Sequence, residues 1–129
     1  MLSGGDQIAM EWRVDPGIPA KDIPLRDGIP VGVTDDSHKG PCAIYLKKVD
    51  DALTATGPGD GWIKLHHDSV DSKGVFCADR LRLANAPQPG VIPSNIAPGD
   101  YLFRAELLAL NNAGPESLNG QKQQQFFVG

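Results

Sequence analysis

At 129 residues and 13.7 kDa, the chain has room for one hydrophobic core, and a single domain over residues 1–129 is expected. Gly (15) and Pro (11) are too frequent for a helical bundle, and 40% hydrophobic residues is too many for a disordered chain. A formal charge of −4, a pI near 5.2 and the lack of any run of about 18 apolar residues point away from nucleic acid and membranes as partners.

The chain opens Met1-Leu2-Ser3-Gly4-Gly5, without a charged segment leading into an apolar one, so no signal peptide is expected. Residues 7–13 alternate, placing Ile8, Met10 and Trp12 on one face of a first strand. Residues 15–30 are rich in Pro, Gly and Asp and read as loop. Residues 42–49 read as a second strand, apolar on both faces at first and amphipathic at its end. In residues 61–66 a third strand places Trp62, Lys64 and His66 on one face and Ile63 and Leu65 on the other.

Residues 77–85 suit one or two helical turns, and residues 88–93 a short fourth strand. The longest strand spans residues 100–110, with Leu102, Arg104 and Glu106 opposed to Tyr101, Phe103, Ala105 and Leu107. Residues 124–128 close the series. Six short strands separated by turn-forming clusters imply an all-β fold, an antiparallel β-sandwich of immunoglobulin or fibronectin-III type with long loops.

Few residues suggest chemistry on local grounds. His66 and His67 are adjacent, face opposite sides of a strand and read as an exposed strand end. His38 lies in a loop entering a strand. No zinc-type spacing, phosphate loop or nucleophile elbow is present. Cys42 and Cys77 allow one disulfide, and two buried thiols are an equal alternative.

Motifs taken together say more. Ser37-His38-Lys39-Gly40-Pro41, running on through residue 52, resembles the strand entry of the auxiliary-activity family nine lytic polysaccharide monooxygenases, formerly glycoside hydrolase family sixty-one. Residues 5–12, 59–65, 78–81, 92–110 and 125–127 resemble further family segments in the same order. The resemblance covers nearly the whole chain and implies a secreted fungal β-sandwich. It also implies one copper ion, an electron donor, and oxidative cleavage of cellulose or a related β-glucan. Copper there is held by the amine and imidazole of a first-position histidine, a second imidazole and an axial tyrosine.

Carried over residue by residue, the resemblance makes His38 the second histidine, a metal ligand. Gln125 matches the glutamine that orients bound oxygen. Phe127 takes the axial position, and Asn111 stands where the family has a second-sphere histidine. No residue matches the first-position histidine, so the chain reads as a family member shortened at both ends. An incomplete copper site with reduced or absent activity is expected, the alternative being a non-catalytic polysaccharide-binding or structural relative. An exposed sheet edge is expected to favour self-association.

Overall fold

A computed structural model describes residues 1–15, 17–19, 22–111 and 124–128, with Ile29 and the last five by backbone alone. Its centre is a four-stranded antiparallel sheet ordered β5–β4–β7–β8. These strands are β4 (Cys42–Val49), β5 (Trp62–Asp68), β7 (Asp100–Ala109) and β8 (Gln124–Val128). A second antiparallel sheet pairs β1 (Gln7–Met10) with β6 (Gln88–Val91). The expected all-β, antiparallel class is what the chain adopts.

The alternation read in the longest strand holds: Ala105, Leu107 and Ala109 are buried, and Leu102, Arg104 and Glu106 lie on the other face. In β4, Cys42, Ile44 and Leu46 stand opposite Leu107, Ala105 and Phe103, and Ile44 is wholly buried. The core gathers Trp12, Val33, Cys42, Cys77, Ala78, Leu81, Ala105 and Leu107, with Met10 packed against it. Strands β4 and β7 thus contribute one apolar face each, with Met10 of β1 against them, which the hydrophobic effect removes from water.

A polar bridge joins the two sheets inside this core. The Trp12 indole N–H donates to the Gln88 side-chain carbonyl at 2.8 Å, and the Gln88 amide donates to the Ala43 carbonyl at 3.0 Å. Gln88 is only 1% exposed, and pairing both ends of its amide avoids the cost of burying it unsatisfied.

The helix α1 (Cys77–Ala84) realises the two-turn option. The Cys77 and Ala78 amides donate to the Ser69 and Gly40 carbonyls at 2.8 and 3.1 Å, meeting two of the donors that a helix start leaves open. At the other end Asn85 is left-handed (φ 47°), and the Asn85 and Ala86 amides return to Arg82 and Leu81. Cys42 and Cys77 form a disulfide, with Cα atoms 5.8 Å apart, which decides between the two readings of these cysteines.

Two readings of the chain are corrected. The stretch 15–30, expected to be loop, contains a hairpin of β2 (Leu25–Arg26) and β3 (Ile29–Pro30). Its turn residues Asp27 and Gly28 both have positive φ (53° and 81°), the conformation that Asp-Gly favours between paired strands. In β5 the expected face shared by Trp62, Lys64 and His66 is broken by a register shift between Ile44 and Tyr45 of its partner. Trp62 and Lys64 pair with Lys47 and Tyr45, whereas His66 pairs with Ile44 and so changes sides.

Candidate functional site

The site begins with the loop before β4. The Asp35 carboxylate accepts the Ser37 amide at 3.0 Å and the Ser37 hydroxyl at 2.8 Å. The Ser37 amide, then its hydroxyl, hold Asp35 down to about 2. Arg26 of the hairpin reaches the Asp36 carboxylate at 3.0 Å and Asp35 at 3.7 Å. The His38 amide donates to the Asp35 carbonyl at 3.0 Å and the Lys39 amide to the Ser37 carbonyl at 3.0 Å. A tight turn with a fixed carboxylate therefore presents half-buried His38.

Beyond the turn, the chain is clasped into the sheet. The Leu108 amide donates to the Pro41 carbonyl at 3.0 Å and the Leu110 amide to the Lys39 carbonyl at 2.9 Å. A Cβ on Gly40 would lie 1.6 Å from the Leu108 carbonyl oxygen, so only glycine lets the two backbones come this close. On its other side the Gly40 carbonyl accepts the Ala78 amide of α1, and two residues on, Cys42 is bonded to Cys77. The Ser-His-Lys-Gly-Pro motif is thus an anchoring device for the histidine-bearing turn.

His38 and Asn111 each lie one residue beyond the last hydrogen bond of this ladder, between Lys39 and Leu110. Asn111 is exposed. On the far side of β7, Gln125 pairs with Leu108 and Phe127 with Glu106. The side chains of Gln125 and Phe127 fall outside what is described, but their backbone positions put both at the same end of the sheet as Asn111. Residues 38, 111, 125 and 127, scattered over most of the sequence, are gathered by β4, β7 and β8.

His66 and His67 take no part in this cluster. They pair with Ile44 and Ala43, well along β4 from His38, and both are exposed, as expected of a polar strand end. Among the described residues no three His, Cys, Asp or Glu side chains come together as a metal site. His38 and Asn111 follow from the same backbone ladder, and of the two only His38 carries an imidazole. Among the described residues at this end of the sheet, one imidazole falls short of the several nitrogen donors that a tightly held copper ion takes.

The aromatic residues divide in a way that strand periodicity alone did not show. Trp12 is core (7% exposed), and the Tyr101 hydroxyl donates to the Ala97 carbonyl at 2.7 Å. Tyr45 and Trp62 instead occupy the outer face of the four-stranded sheet, with the Arg104 guanidinium 4.7 and 4.5 Å from their ring centroids. Gln88 was also missed: nothing in its local sequence marks a glutamine that bridges two sheets.

The chain as a whole is similar to known proteins. The chain is 46% identical over 112 residues to AA9 family lytic polysaccharide monooxygenase C of Thermothelomyces thermophilus, covering 87% of this chain and 44% of that protein. It is 49% identical over 81 residues to AA9 family lytic polysaccharide monooxygenase D of Malbranchea cinnamomea, covering 63% of this chain and 35% of that one. Among solved structures it matches CvAA9A with a TM-score of 0.67 and 26% identity, over 86% of this chain and 44% of that one. The extended catalytic domain of H. jecorina LPMO9A matches in fold with a TM-score of 0.68 and 24% identity, over 98% of this chain and 43% of that one. The chain thus spans less than half the length of these relatives. The model of Auxiliary Activity family 9 (formerly GH61) matches residues 2–129, and with the fold shared with these structures the chain belongs to that family.

Proposed function

We propose that this chain is a polysaccharide-directed member of the family with an incomplete copper site, in which oxidative cleavage of cellulose or a related β-glucan is reduced or absent. The observation that carries the reading is the convergence of His38, Asn111, Gln125 and Phe127 on one end of the sheet. By resemblance these positions correspond to the family's metal site, and the residue types at them fall short of its chemistry.

His38 offers one imidazole. Phe127 has no hydroxyl to give an axial donor. Asn111 can donate and accept hydrogen bonds but cannot transfer a proton near neutral pH. A lone imidazole holds copper loosely, because each chelating donor removed takes away much of the binding free energy. When bound, copper would supply one-electron oxygen chemistry, drawing on an external electron donor. The chain's own part would be to hold His38 through the Asp35 turn and Gly40. Secretion and an extracellular fungal setting belong to the same reading.

The second reading, a non-catalytic polysaccharide-binding or structural relative, is favoured by Phe127 and Asn111, which remove an oxygen donor and a proton carrier while preserving the framework. Copper calorimetry on the parent and on His38→Ala tests the proposal. Expected is weak binding that His38→Ala abolishes, with few or no oxidised oligosaccharides from cellulose and a reductant. Binding tighter than about 1 μM, some 8 kcal/mol, together with abundant oxidised products would refute the incomplete site. Copper binding unaffected by His38→Ala would remove His38 from it.

A further inference from the structure

The outer face of the four-stranded sheet carries a feature unconnected with His38. Lys64, Tyr45 and Arg104 stand opposite one another on β5, β4 and β7, and Trp62, Lys47 and Leu102 form the adjoining row. The Arg104 guanidinium lies between the two rings, 4.7 Å from Tyr45 and 4.5 Å from Trp62. The Lys64 ammonium sits 5.5 Å from the Tyr45 centroid and that of Lys47 5.9 Å from Trp62. Cations and rings alternate, and each ring meets two cations. The negative ring faces offset the repulsion that three neighbouring positive charges would otherwise suffer.

A basic patch on a chain of net charge −4 calls for a reason. The Lys47 ammonium donates to the Pro58 carbonyl at 3.1 Å. Among the described residues, neither Lys47 nor Lys64 forms an ion pair with a carboxylate. His67, paired with Ala43, extends the same face. Among the described residues, the acidic ones on it are Glu106, also paired with Ala43, and Asp100 at the start of β7, whose carboxylate accepts the Ala52 amide. They flank the cations along β7.

We propose that this face binds polysaccharide chains bearing uronate carboxylates. Lys47 and Lys64, presented from neighbouring strands that lie about 4.8 Å apart, suit acidic groups repeated along a chain, and the rings beside them offer apolar contact to sugar C–H groups. A duplex nucleic acid suits the face less, since Glu106 and Asp100 would meet its dense phosphates. The inference goes beyond the reading of the metal site and does not depend on it.

Affinity electrophoresis of the full chain through polygalacturonate is the test, with a fully methyl-esterified polymer and an uncharged β-glucan alongside. Polygalacturonate alone should retard the protein, and added salt should weaken the effect. Lys47→Gln and Lys64→Gln should each lower affinity up to about fivefold without changing the melting temperature, and Lys64→Arg should retain binding. The proposal is overturned by an unretarded parent chain, by equal retardation in the neutral polymers, or by Gln variants that bind like the parent. Tighter binding to a DNA duplex at the same salt would overturn the choice of partner.

Discussion

Gly40 has no room for a side chain, and the reason is a carbonyl on another strand. With the Leu108 oxygen 1.6 Å from the position of a Cβ, Gly40→Ala must push β4 and β7 apart at the point where the His38 turn is anchored. We expect a loss of about 3 kcal/mol, seen as a fall of roughly 10 °C in melting temperature. An unchanged thermal melt would mean that the close approach contributes nothing. Gln88 shows the same dependence on a distant partner: its amide is useful only because Trp12 and Ala43 stand at either end of it. Neither role can be assigned from neighbours in sequence, because the contacts that define it come from residues more than 40 positions away.

Among the elements, β4 is the organiser. It lies between β5 and β7, leads out of the His38 turn and is bonded through Cys42 to the first residue of α1. The disulfide closes a sequence separation of 35 residues, for which loop-closure entropy gives about 4 kcal/mol. The double replacement Cys42→Ala, Cys77→Ala should lower the denaturant midpoint by a corresponding amount. A midpoint equal to that of the parent would show that packing alone holds α1 against the sheet. Strand periodicity located β4, β7 and β8 well, since each is long or strongly apolar. It failed in β5, where one extra residue moves His66 to the other face, and in residues 15–30, where a hairpin turning at Asp27-Gly28 sits in Pro- and Gly-rich sequence that reads as loop.

On the scale of the whole molecule, the described residues leave an apolar side chain of the sheet system exposed at one edge. β5 is an edge strand of the four-stranded sheet, and Ile63, opposite buried Leu46, is still 65% exposed. A groove of about 470 Å³ lined in part by Ile92, Ile96, Tyr101 and Phe103 lies beside β7. An open edge with apolar residues beside it favours pairing with a second copy. We expect concentration-dependent dimerisation in sedimentation velocity, weakened by Ile63→Lys. A single monomeric species at every concentration would count against it.

By itself, the order of apolar alternation and turn-forming residues determined the class of fold, because each strand must bury one face and the turns between them need Gly, Pro, Asp or Asn. The motif around His38 likewise carried the family. Tertiary structure decided what the residues do together: that Cys42 and Cys77 are joined, that Gly40 lies under Leu108, and that Tyr45, Trp62 and Arg104 form one stack. These are contacts across strands, fixed by register, and a single inserted residue in β5 was enough to change which side chains share a face.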